Sequence, residues 1–260
     1  MSEARERSGI YGANVASWSS TQWGLLDTGR FSWVVIRTDC SPEMALLARQ
    51  RGLKVVMQFP DRFNQHRGDS PAGYAVECHE RLKPFAEYSS LAVLDNEPNL
   101  IDPKGHWWYA DQFCRWYRAV VAEFRYQDPS VPWQIVFPAM ASAPQLGFDR
   151  WLEVNEENIR ESAGVGSHCY WYTREQLTEP YWGGSWRQVA KVYPWQRIFV
   201  LEYGVLPPGP EEIEKAQLQA DFVRSLEEPV VMAAKFILGG TKEWEPHWLT
   251  ERQAKALAEV

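Results

Sequence analysis

Eight short apolar runs rich in β-branched residues recur along the chain, each followed by a stretch with helical patterning. That alternation restricts the fold more than any other feature. The runs are YGANVAS (11–17), WVVIRTD (33–39), LKVVMQF (53–59), LAVLDNE (91–97), WQIVFPA (133–139), GSHCYWY (166–172), IFVLEYG (198–204) and MAAKFIL (232–238). Runs of this length, bounded by turn residues and separated by helices, form βα units and pack as a parallel sheet. Between them, SPEMALLARQRG (41–52) has Ser41 as cap, Pro42 at the first helical position and Gly52 at the end. SPAGYAVECHERLKPFAEY (70–88) repeats the Ser-Pro opening, and HWWYADQFCRWYRAVVAEFRYQDP (106–129) stops at a proline. GPEEIEKAQLQADFVRSLEEP (209–229) opens with acidic residues that suit the positive end of a helix dipole, and LTERQAKALAEV (249–260) has Thr250 as cap. The expected fold is a single (β/α)₈ barrel, with 1–260 as one domain, since 260 residues is the usual size of that architecture. A doubly wound sheet would carry a glycine-rich phosphate loop after its first strand, and ANVASWSS is no such loop.

The net charge of -7 argues against a nucleic-acid partner, which needs clustered Lys and Arg, and against an anionic membrane surface. No apolar stretch approaches the roughly 20 residues of a membrane helix. The opening MSEARERSGIYG lacks the apolar segment of a secretory signal, so a cytoplasmic location is expected unless the chain is exported by another route; a monomer is expected as well. Cys40, Cys78, Cys114 and Cys169 form no CxxC pair, and the five histidines are scattered, so neither metal nor cofactor is expected. Fourteen tryptophans are several times the usual share, and a flat indole face stacks on the C–H face of a sugar as readily as it fills a core.

In a (β/α)₈ barrel the chemistry gathers at the C-terminal ends of the strands. There the sequence places Arg37 and Asp39 on the second strand, Gln58 on the third, Asn96 and Glu97 on the fourth, His168 and Tyr170 on the sixth, and Glu202 on the seventh. Two carboxyls three strands apart would face each other across the mouth. Such a pair serves glycoside hydrolysis: one carboxyl protonates the leaving oxygen while the other attacks the anomeric carbon or activates water. A gap of about 5–5.5 Å leads to retention and a wider one to inversion.

DNEPN (95–99) and FVLEYG (199–204) together resemble clan A of the glycoside hydrolases, retaining (β/α)₈ enzymes marked by Asn-Glu-Pro at the fourth strand and a lone Glu at the seventh. The resemblance implies Glu97 as general acid/base and Glu202 as nucleophile, and Asn96 is expected to hydrogen-bond the sugar 2-hydroxyl. The cellulase-like families of the clan are similar in a late Arg on the second strand and His-x-Tyr on the sixth, here Arg37, His168 and Tyr170. A tryptophan after the eighth strand floors the sugar site in those families, and Trp244 is the nearest candidate. Trp18 and Trp171 complete the expected carbohydrate contacts, and Tyr172, Trp182 and Trp186 crowd the same loop. The chain departs from the pattern at Asp95, where a small or aromatic residue is common, and at Gln58, where a histidine is common.

On this reading Glu97 is expected to have its pKa raised by the neighbouring carboxylate, while Tyr170 and Arg37 keep Glu202 ionised. His168 is expected to orient Glu202 or to bind a hydroxyl. Two further readings use the same residues: a transglycosylase, and a barrel that has lost catalysis and survives as a carbohydrate-binding or structural subunit.

Overall fold

Eight parallel strands close into a barrel in sequence order in the computed structural model, which describes residues 9–15, 20–59, 70–100, 109–131, 133–142, 146–206, 210–236, 245 and 247–260. The strands are β1 (Tyr11–Val15), β2 (Trp33–Arg37), β3 (Lys54–Gln58), β4 (Leu91–Val93), β5 (Gln134–Met140), β6 (Gly164–Trp171), β7 (Ile198–Val205) and β8 (Val230–Lys235). The ring is completed where Tyr11, Gly12 and Ala13 pair with Ala233, Ala234 and Lys235. The helices are α1 (Ser20–Thr28), α2 (Pro42–Gln50), α3 (Pro71–Leu82), α4 (Ala110–Gln127), α5 (Phe148–Val154), α6 (Glu156–Arg160), α7 (Ser185–Val192), α8 (Glu212–Arg224) and α9 (Glu251–Ala258).

The expected caps form. Ser41 accepts the N–H of Glu43 at 3.3 Å, Ser70 that of Gly73 at 3.1 Å and Thr250 that of Gln253 at 3.2 Å. Each satisfies a backbone donor that the first helical turn leaves without a partner. Strand alternation then separates two apolar cores. Trp33, Val35, Val56, Val93, Phe199, Leu201 and Met232 fill the barrel, while Val34, Ile36, Phe137, Cys169, Tyr203 and their neighbours pack against the helices. All four cysteines are free thiols; Cys78, Cys114 and Cys169 are buried and Cys40 is half-buried. No helix among the described residues is long and apolar enough to cross a membrane.

Two expectations need correction. The fourth strand does not run to Glu97 but stops at Val93, and the residues that follow leave the ladder. Trp171, expected as a sugar contact, lies in the outer core with none of its surface exposed. Its ring stacks on Phe222 of α8 at 4.9 Å and lies parallel to Tyr203 at 6.4 Å. The reason is the period of two: if His168 and Tyr170 face the barrel interior, Cys169 and Trp171 must face the helices. Trp171→Ala is accordingly expected to cost about 3–5 kcal/mol of stability in urea unfolding, with activity per folded molecule unchanged.

Candidate active site

The chain reaches its first carboxylate through a bent segment. Beyond Val93, the carbonyl of Leu94 accepts a hydrogen bond from the Tyr74 hydroxyl on α3 at 2.6 Å. Asp95 is fully buried, and its Oδ1 accepts the backbone N–H of Asn96 at 2.7 Å. Glu97 follows with φ 44°, a left-handed conformation that costs a non-glycine residue about 1–3 kcal/mol and persists only where the surroundings impose it. They do so here. The N–H of Glu97 donates to the Ala139 carbonyl of β5 at 2.9 Å, and the Asn99 side chain both donates to and accepts from the Ala141 backbone at 2.9 and 2.7 Å. Asp95 and Asn99 thus aim Glu97.

The second carboxylate comes from β7. A register shift between Ser167 and His168 pairs His168 with Glu202, and bulges of this kind re-aim side chains at barrel rims. His168 is 1% exposed and its Nδ1 lies 2.7 Å from Glu97 Oε1 and 3.7 Å from Glu202 Oε2. These two distances form two sides of a triangle, so Glu97 Oε1 and Glu202 Oε2 are at most about 6.4 Å apart. Side-chain exposures of 20% for Glu97 and 12% for Glu202 keep both within reach of solvent. His168 was expected to orient Glu202 or to bind a hydroxyl; its hydrogen bond goes to Glu97, with Glu202 beyond hydrogen-bond distance at 3.7 Å.

Tyr170 behaves as expected, donating its hydroxyl to Glu202 Oε2 at 2.5 Å. Burial pushes the Glu202 carboxyl above its usual range; the adjacent Glu97 adds to this, whereas His168, Tyr170 and Arg37 act in the opposite direction and are outweighed. Tyr170 and Arg37 therefore act on Glu202 in the expected direction, but desolvation outweighs them. For His168 burial works against the charged form, but the carboxylates of Glu202 and Glu97 overcome it and raise its pKa. The contacts leave Glu202 Oε1 and Glu97 Oε2 without partners among the described residues.

Asn96 is fixed by a residue that stands where the resemblance leads one to look for histidine. Gln58 Nε2 donates to Asn96 Oδ1 at 2.9 Å, and Gln58 Oε1 accepts from Asn14 Nδ2 on β1 at 3.3 Å. Arg37 sits at the rim, half-exposed and paired with Asp39 at 3.0 Å, so it bonds to neither glutamate. Trp18 and Trp244 lie outside the described residues. Of the other aromatic residues after β6, Trp186 is buried, while Tyr172 and Trp182 meet edge to face at 5.6 Å with Tyr172 37% exposed. Of the aromatic residues expected to form a platform there, these two stay accessible.

Another strand-end group has perturbed acidity. Lys235 is buried and its pKa is pulled down to about 7 by desolvation and then by Lys215. A desolvated lysine of this kind can serve Schiff-base chemistry. Its register partner, however, is the outward Tyr203, and its Nζ donates to the carbonyls of Phe236 and His247. It anchors backbone on the helix side, away from the carboxylates. Among the described residues no group of three or more His, Cys, Asp or Glu side chains is placed to hold a metal ion.

No protein-family model and no curated protein sequence matches the chain. Solved structures do match its fold. A GH128 subgroup I endo-β-1,3-glucanase from Amycolatopsis mediterranei, a glutamate-to-alanine mutant bound to laminaritriose and laminaribiose, aligns with a TM-score of 0.64 at 14% identity, covering 96% of this chain and 99% of that one. Two fungal β-1,4-galactanases are represented by a match with a TM-score of 0.58 at 14% identity, covering 96% of this chain and 95% of that one. A glucosidase from Croceicoccus marinus gives a TM-score of 0.66 at 11% identity, covering 98% and 68%. At these identities the chain shares with these carbohydrate-active proteins the closed (β/α)₈ barrel.

Proposed function

We propose that this protein is a retaining β-glycoside hydrolase, with Glu97 as general acid/base and Glu202 as nucleophile. The observation that carries the reading is the meeting of two partly exposed glutamates from β7 and from the segment after β4 on one imidazole nitrogen. In the first step Glu97 Oε2 gives a proton to the leaving glycosidic oxygen as Glu202 Oε1 attacks the anomeric carbon and the C–O bond breaks. His168, whose Nδ1 lies 2.7 Å from Glu97 Oε1, holds the carboxyl so that Oε2 is turned away from it. A covalent glycosyl-enzyme forms, and the loss of the Glu202 charge makes Glu97 a base for water. Water then attacks the same carbon, gives its proton to Glu97 and frees Glu202. Tyr170 supports the carboxylate of Glu202 whenever it carries charge.

The structural matches support β-glucans as the substrates to try first, because the Amycolatopsis glucanase and an exo-β-1,3-glucanase from Blastomyces gilchristii share the fold. The test follows the anomeric protons by NMR as the protein acts on laminarin, on β-1,4-glucan and on β-1,4-galactan. Initial release of the β-anomer is expected. Initial release of the α-anomer would overturn the retaining mechanism, and binding without cleavage of any of these polymers would favour a carbohydrate-binding barrel.

A further inference from the structure

We infer that Gln58 and Asn14 are positioning residues that set which end of the Asn96 amide faces the substrate, an inference that rests on the glycosidase reading. The three side chains form a directional relay from β1 through β3 to the segment after β4: Asn14 Nδ2 donates to Gln58 Oε1 at 3.3 Å, and Gln58 Nε2 donates to Asn96 Oδ1 at 2.9 Å. Asn14 is 2% exposed and Gln58 is 3% exposed, so water does not compete for these bonds. An amide whose oxygen is already engaged presents N–H. The Nδ2 hydrogens of Asn96 have no partner among the described residues, and Asn96 lies one residue before Glu97 at the mouth. The relay therefore makes Asn96 a fixed donor. A sugar 2-hydroxyl accepts from it and is left with its own proton directed elsewhere, the arrangement that tightens as an oxocarbenium-like transition state forms. Gln58 does this without carrying charge beside the two glutamates, which a histidine at the same position would not guarantee.

Gln58→Glu reverses the polarity at one atom while preserving shape. The carboxylate keeps the bond from Asn14 but offers no hydrogen to Asn96, so the Asn96 amide turns to donate to it and presents Oδ1 to the substrate. Two measurements decide the matter. The first compares 4-nitrophenyl β-glucoside with its 2-deoxy counterpart. Gln58→Glu is expected to lower kcat for the 2-hydroxy substrate about 100-fold, with little change in KM and little loss on the 2-deoxy substrate. Equal loss on both, or none on either, would overturn the relay. The second is independent of turnover: in protein labelled with ¹⁵N-asparagine, one Asn96 side-chain proton should move downfield in Gln58→Glu and not in Gln58→Leu, because only the carboxylate accepts from it. If the wild type cleaves no glycoside, the glycosidase reading fails, and the Asn96 resonance alone judges the relay; an unmoved signal refutes it.

Discussion

Glu202→Ala is expected to lower kcat by roughly 10⁴- to 10⁶-fold, the scale on which removing a catalytic nucleophile acts in other covalent mechanisms, and azide is expected to restore turnover. The truncated side chain leaves a space beside Tyr170 and His168, and a small anion entering it meets the anomeric carbon from the nucleophile's side. The product should then be the α-glycosyl azide, inverted because only one displacement has occurred. KM should change little, since Glu202 Oε1 forms its bond to carbon only as the reaction proceeds. Turnover within tenfold of wild type would eliminate Glu202 as nucleophile, and so would a β-azide product.

Glu97→Gln should separate the two chemical steps. Glutamine keeps an oxygen to accept from His168 Nδ1, so the geometry at 2.7 Å survives while the exchangeable proton is lost. General acid–base assistance contributes about 10²–10⁴-fold, and kcat/KM for an unactivated glycoside should fall by that amount. A dinitrophenyl glycoside needs no proton on its leaving group, so its first step should stay fast and water attack should become limiting. A burst of phenolate would appear in stopped-flow, and azide would raise the steady state while giving the β-azide. Loss of the same size on activated and unactivated substrates would remove Glu97 from the acid/base role. The two variants thus predict azides of opposite configuration, which distinguishes them from mutants that merely fail to fold.

The fold was legible because its signals are local. Ser41, Ser70 and Thr250 cap the helices they precede, and such bonds depend only on residues two or three positions away. The eight apolar runs needed only their length and spacing to imply a barrel. Misreadings came where period and geometry compete with residue type. Trp171 is aromatic and beside the site in sequence, but a strand presents alternate residues to opposite faces, and Trp171 falls on the outer one. The fourth run read as strand through Glu97 because Leu94 continues its apolar character; Asp95 was the warning, since a buried aspartate after a strand calls for a local N–H to accept.

Sequence by itself determined which candidate groups were on offer: Asn96 and Glu97 after the fourth apolar run, Glu202 on the seventh, and His168 and Tyr170 two residues apart on one strand face. Tertiary structure decided how those groups are paired. His168 bonds to Glu97, 71 residues away, rather than chiefly to Glu202; Arg37 turns to Asp39; and Gln58 joins Asn14 to Asn96 across separations of 44 and 38 residues. A chain read in one dimension carries capping, periodicity and composition, because each of these acts over a few residues. Hydrogen bonds across the mouth depend on barrel closure, on a register shift in β6 and on a left-handed turn at Glu97, all of which are set by partners far along the chain.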